Sequence, residues 1–313
     1  MKDIALALGG GGVRGIAHVG VIRALMAEGY SIKAIAGTSA GGIVGAAYAS
    51  GMSTDEMVKI TSRLNDVKIF SPSFSSEPSM LGLTRFEKEM LDALGDIQFD
   101  QLKIPFGCTA VEINTAQEFV FTSGRVLDAV MATVAVPGVF PPKQIGGYTF
   151  VDGAILDPVP VALARWLAPN IPIIAVCLTP IPEDWAHMPP IINPPHIPFT
   201  QPLLEHFSRL RLAKAFNIFT RSMETTARML AELRMKLDKP DVILRPDVSE
   251  IALLDIVSTQ DLILRGEQIV KDSKKELGQI FGMTKQVVRL FNQPILPGKE
   301  INTGANPLQE KIR

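Results

Sequence analysis

Two apolar runs, each ending in glycine and each leading into a helical pattern, fill the first fifty residues. Ile4 to Leu8 passes into Gly9 to Gly12, and Val13-Arg14-Gly15 then opens a segment with Ile16, Val19, Ile22 and Met26 at helical spacing. After Gly29, a helix stop, the run Ile32 to Ala36 leads through Gly37-Thr38-Ser39-Ala40-Gly41-Gly42 into the small residues Ile43 to Ser50. Strand, helix, strand, helix at this spacing predicts parallel strands with helices on both faces. The expected fold class is α/β, three-layer α/β/α with a mainly parallel central sheet.

Further along, capping boxes at Ser53 to Glu56 and Thr84 to Glu87 predict two helices. Alternating runs on either side of Asn114-Thr115 predict a β-hairpin, followed by a helix over 124–134 and a strand over 148–151. Val159 to Leu167 reads as helix and Ile171 to Leu178 as a buried strand. Leu203 to Leu237 is a long helical pattern, Asp241 to Leu244 a last short strand, and Gln260 to Ile280 a helix capped by Ser258 or Thr259. Ser71 to Ser79 and the Pro-rich stretch 180–202 are the expected lids or linkers. One domain is expected over 1–280, with a loosely held tail over 281–313.

A net charge of −1 with no basic excess excludes nucleic acid as an expected partner, and no acidic tract suggests a disordered tail. Cys108 and Cys177 lie in strand-like runs as core residues, a sparse usage that fits a reducing cytosol. Neither a signal peptide nor a membrane-spanning run is read, so a cytoplasmic protein is expected, with contact at a membrane surface left open. Oligomeric state is not legible.

Gly37-Thr38-Ser39-Ala40-Gly41 fits the Gly-x-Ser-x-Gly nucleophile elbow, in which glycines permit a sharp strand-to-helix turn that exposes the serine hydroxyl. Gly10, Gly12 and Gly15 also fit the dinucleotide fingerprint. That reading needs an acidic residue at the end of the second strand, where Gly37-Thr38-Ser39 stands instead. No Gly-Lys-Ser/Thr follows, which excludes a P-loop, and no cofactor is expected. The alternative is that Gly10, Gly11 and Gly12 present N–H groups toward Ser39 as an oxyanion hole, both loops lying at the carboxyl ends of parallel strands.

A serine nucleophile needs a base. His18 lies in the first helix, where packing is the expected role; His187 and His196 fall in the Pro-rich stretch, and His206 begins the long helix. A Ser…Asp…His order is therefore available without a well-placed histidine. Asp152 ends a strand before Gly153 and Ala154. Desolvation would raise its proton affinity enough for a direct Ser–Asp dyad, and the plainer reading is a cap for the Asp-Gly turn.

Gly10-Gly11-Gly12-Val13-Arg14-Gly15, Gly37-Thr38-Ser39-Ala40-Gly41 and Asp152-Gly153-Ala154, in this order and spacing, resemble the patatin-like phospholipase family, in particular its bacterial members. The resemblance takes in 132–142 and the closing run from Asp241 to about residue 280. It implies a patatin-like fold and a serine acyl hydrolase acting on lipid esters. Ser39 would be the acylated nucleophile, Asp152 its base, and Gly10, Gly11 and Gly12 the oxyanion donors, with Arg14 supporting the glycine loop. Thr133 stands where the family usually has serine. Asp157 stands where many members have asparagine and puts a second carboxylate near the site. The expected partner is a lipid ester. The same acyl-enzyme in an acyltransferase, or an idle lipid-binding protein, are the rival readings. The long helix carries seven Lys/Arg against three Glu, a composition suited either to an anionic lipid surface or to packing an apolar stripe on the domain.

Overall fold

The structure, a computed structural model, describes residues 2–66, 83–179, 182, 203–253, 255, 257–282, 289 and 295–301, with backbone alone over 63–66, 83–85 and 203–217. The chain begins β1 (Lys2–Leu8), α1 (Ala17–Ala27), β2 (Tyr30–Gly37), α2 (Ala40–Ala49), α3 (Thr54–Asp66) and α4 (Leu83–Leu94). It continues through β3 (Phe106–Glu112), β4 (Gln117–Phe121), α5 (Val126–Thr133), β5 (Lys143–Ile145), β6 (Tyr148–Asp152), α6 (Val161–Leu167) and β7 (Ile173–Val176). The last elements are α7 (Leu203–Asp238), β8 (Val242–Leu244), α8 (Thr259–Asp272), α9 (Lys274–Gln279) and β9 (Lys299–Ile301).

The strands form one sheet in the order β5-β6-β3-β2-β1-β7-β8, with β4 beside β3 and β9 beside β4. The run β3-β2-β1-β7-β8 is parallel throughout, and antiparallel pairing is confined to the contacts of β3 with β4 and β6 and of β5 with β6. The expected mainly parallel α/β sheet is what forms. β1 and β2 are buried on both faces, which is why they read as nearly unbroken apolar runs.

Side-chain size divides the two layers. Ile4, Leu6, Leu8 and Ile35 face the cluster completed by α1, α2, α5 and α8. Ala5, Ala7, Ala34 and Ala36 face α6 and α7, whose close approach the small methyls allow. On the first layer α1 and α8 meet backbone to backbone: a Cβ at Gly20 would overlap the Ile263 carbonyl, and one at Gly266 the Ala17 carbonyl.

Local signals hold with adjustments. Ser53 and Glu56 exchange capping-box hydrogen bonds at the start of α3. The next helix begins at Leu83, so Thr84 lies inside it and does not cap it. Ser258 caps α8 by accepting from the Asp261 N–H, and the helix expected to run on to Ile280 breaks at Ser273 into α8 and α9. β5 went unread, as did β9, which lies within the tail and pairs in parallel with β4. The loop 71–79 and all of 180–202 except Pro182 lie outside the described residues.

Candidate active site

Ser39 stands at the turn between β2 and α2 with φ 54° and ψ −122°, a left-handed backbone that a residue with a Cβ seldom adopts. The turn is held from several sides. A Cβ at Gly37 would overlap the Gly41 carbonyl, and one at Gly41 the Leu8 carbonyl, so strand and helix can pass at this distance only with glycine in both places. Gly15 leaves the same kind of room for Ala40. The Thr38 hydroxyl donates to the Asp157 carbonyl at 2.8 Å and lies 2.9 Å from the Thr109 hydroxyl. The Ser39 N–H donates to the Thr133 hydroxyl at 2.9 Å. Thr133, noted from sequence only as standing where the family usually has serine, thus fixes the elbow itself. Thr133→Val is expected to leave that buried N–H unpaired and cost about 1–3 kcal/mol, with Thr133→Ser close to neutral; thermal denaturation of the two variants checks it.

Asp152 reaches the elbow because of sheet register. Gly37 at the end of β2 pairs with Cys108, and β3 continues past it to Glu112. β6 runs back down this overhang, antiparallel, and ends with Asp152 opposite Ala110, two residues or roughly 7 Å beyond the level of Gly37. The Asp152 carboxylate accepts the Ala154 N–H at 2.8 Å and lies near enough to the Ser39 hydroxyl for that hydroxyl to lower its pKa. Gly153 packs on Thr109, where a Cβ would not fit. Ser39 and Asp152 are both buried. Burial raises the Asp152 carboxyl from 3.8 to about 6, against the lowering effects of the nearby Ser39 hydroxyl and of the Ala154 N–H.

The glycine loop lies alongside. Gly10 and Gly11 border the same cavity as Ser39 and Asp152, and a Cβ at Gly10 would come within 3.3 Å of the Ser39 Cβ. The Gly10 N–H donates to the Pro158 carbonyl at 3.0 Å, which commits it to the backbone. Among the described residues the N–H groups of Gly11 and Gly12 have no such acceptor. Gly12, at φ +58°, packs against the Leu253 carbonyl. Arg14 is almost wholly buried: its Nε donates to the Ile251 carbonyl at 2.6 Å and its Nη1 to Glu224 of α7 at 2.9 Å. It ties the glycine loop to α7 and to the segment after β8, and its charge is already paired. His18 donates from Nε2 to the Gly9 carbonyl at 2.8 Å, and burial lowers its pKa to about 4, so it is a neutral packing residue under the loop. The side chains of His187, His196 and His206 lie outside the described residues.

The cavity measures about 190 Å³. Val136, Pro137 and Ile155 make much of its lining apolar, and α7 contributes Thr220, Met223 and Ala227. Asp157 does not border it. That carboxyl is buried toward Glu118, Arg234 and Asp238; burial and then the Glu118 charge push it well above the usual carboxylate range. The second carboxylate foreseen near the site is thus turned away from the serine. Among the described residues no cluster of three His, Cys, Asp or Glu side chains could hold a metal ion, and no helix is long and apolar enough to cross a membrane.

Comparison with known proteins gives four likenesses. The family model for patatin-like phospholipase matches residues 6–165, a span holding both Ser39 and Asp152. An uncharacterized NTE family protein of Mycobacterium tuberculosis is 38% identical over 165 residues, 51% of this chain and 44% of that protein. Lysophospholipase NTE1 of Phaeosphaeria nodorum is 31% identical over 189 residues, 58% of this chain and 12% of that enzyme. The match therefore spans less than half the length of these curated relatives. The crystal structure of VipD from Legionella pneumophila aligns with a TM-score of 0.50 over 89% of this chain and 67% of its own, at 12% identity, a likeness of fold.

Proposed function

This chain belongs to the patatin-like phospholipase family, and from that premise we propose that it is a serine acyl hydrolase cleaving fatty-acyl esters of lipids through a Ser39–Asp152 dyad. The observation that carries the reading is the Ser39 hydroxyl and a buried carboxylate brought together on the lining of one largely apolar cavity. As Ser39 Oγ attacks the ester carbonyl, its proton passes to Asp152. The carbonyl oxygen gains the negative charge. Gly11 and Gly12, whose N–H groups have no backbone acceptor among the described residues, supply the donors for it, and the N-terminus of α2, which begins immediately after Ser39, adds its positive end. Collapse expels the alcohol, which takes the proton back from Asp152 and leaves Ser39 acylated. Asp152 then draws a proton from water, the hydroxide attacks the acyl carbonyl, and the fatty acid leaves as Ser39 is reprotonated.

A carboxylate can serve as base here because the cavity desolvates it: at about 6 its proton affinity lies far nearer neutrality than that of an exposed aspartate. The decisive assay is hydrolysis of a lysophospholipid, diacyl phospholipid and triglyceride panel, with fluorophosphonate labelling in parallel. Labelled wild type that hydrolyses at least one lipid supports the reading, and an unlabelled, inactive protein overturns it. Fatty-acid release, set against transfer to an added alcohol, separates hydrolase from acyltransferase. The dyad needs no histidine, so a combined His187→Ala, His196→Ala and His206→Ala variant is expected to keep kcat/KM within about tenfold of wild type; loss of some hundredfold or more, typical of removing a general base, would install a histidine as the base.

A further inference from the structure

α7 has a second face that the cavity does not use. Resting on the hydrolase reading above, we propose that this outer face is the surface by which the protein docks on an anionic lipid bilayer, its apolar stripe lying in the interface beside the cavity.

Among the described residues, five large apolar side chains of α7 are turned to solvent: Ile218 is 67% exposed, Phe219 43%, Met229 49%, Leu233 51% and Leu237 75%. Their steps of one, ten, four and four residues place all five within about 100° of arc, along one side of a single helix. A globular helix normally buries its apolar stripe, and α7 already buries another, through Ala231 and Met235, against the sheet. A second stripe left in water is the mark of a partner that supplies apolar surface.

Charge on α7 is segregated to match. Glu224 is turned inward onto Arg14 and Arg228, and Glu232 onto Arg245. Arg221 and Lys236, which flank the stripe, are exposed. The outer face thus offers apolar bulk with cations at its edges, the pattern of a helix that lies in a headgroup layer, where the acyl boundary takes the apolar side chains and anionic lipids attract the bases. The stripe also adjoins the cavity. Thr226 borders the cavity and stands three residues from Met229 and seven from Leu233, spacings that make them neighbours on the helix surface. A lipid leaving a bilayer under this face would meet the cavity at the edge of the helix.

Vesicle flotation tests the assignment, using Ser39→Ala protein so that no lipid is consumed. Vesicles of phosphatidylcholine alone are compared with vesicles carrying about a third phosphatidylglycerol, a composition that supplies a negative surface potential. The expected result is binding to the anionic vesicles that weakens with salt. Met229→Gln with Leu233→Gln should lower it at least about tenfold through the lost apolar burial. Arg221→Gln with Lys236→Gln should cut the preference for anionic vesicles about ten- to thirtyfold. None of these four side chains borders the cavity, so in the Ser39 background each pair should leave hydrolysis of a water-soluble short-chain ester unchanged. Vesicle binding unaffected by both pairs overturns the proposal. So does a dimer in light scattering that the Gln variants dissolve, which would assign the face to a second copy. The two readings fail separately: a wild type inert on the soluble ester, with vesicle binding as described, removes the hydrolase and keeps the docking face.

Discussion

Ser39→Ala is expected to lower kcat/KM for ester hydrolysis by at least about ten-thousand-fold, the scale seen when a nucleophile is removed from a preorganised site. It should also abolish fluorophosphonate labelling and leave the circular dichroism spectrum unchanged. Ser39→Gly separates chemistry from strain. It is equally inactive, but it frees the turn from the cost of holding a Cβ at φ 54°, worth about 1–3 kcal/mol. A higher Tm for the glycine variant than for the alanine variant is therefore expected. Equal Tm values would mean that the elbow carries no strain, and an alanine variant with near wild-type activity would remove Ser39 from the mechanism.

Asp152→Asn should combine loss of activity with a gain in stability, and the sign follows from the raised pKa. The native carboxyl holds its proton up to about pH 6, whereas the unfolded one releases it near 3.8. Between those values the unfolded state gains by ionising and the native state does not. A stability penalty therefore builds from about pH 4 to pH 6 and persists above it. Its full size for a shift of this order is roughly 3 kcal/mol. Asparagine carries no such penalty. The variant should unfold at higher temperature than wild type at pH 8, and the difference should close below about pH 4. In wild type, kcat/KM should fall tenfold per pH unit below about 6 as the base is protonated. An Asp152→Asn protein with the same Tm as wild type at pH 8, or a wild-type profile flat down to pH 4, would contradict the assignment of this carboxylate as a desolvated base.

Much of the fold was legible because its centre is built from local signals. β1 and β2 read as buried strands since both faces are apolar, and the glycines after them marked the sharp turns. What could not be read lay in long-range pairing. Asp152 was recognisable as a strand-end carboxylate, but only the overhang of β3 beyond β2, with β6 returning along it, brings it to Ser39. The three glycines looked equivalent in sequence, yet the Pro158 carbonyl takes the Gly10 N–H, while among the described residues no backbone carbonyl takes that of Gly11 or Gly12. Thr133 gave no sign that its hydroxyl would hold the Ser39 N–H, because the contact joins residues 94 positions apart. Asp157 drew attention as a rival carboxylate, and only the placement of Glu118 and Arg234 shows that it faces another compartment. β5 and β9 are three residues each, too short to carry an alternation that marks a strand.

The ion pair of Arg14 with Glu224 joins two parts that stand far apart in the sequence, the glycine loop and the helix that lines the cavity. Both groups are largely withdrawn from water, and parting such a pair leaves an uncompensated charge at a cost of about 3–5 kcal/mol. The cavity-lining helix and the proposed anion cradle are therefore geared together. A motion of α7 wide enough to admit a bulky lipid must either carry the glycine loop along with it or meet that barrier, so the width of the opening and the readiness of the cradle are set by the same two side chains.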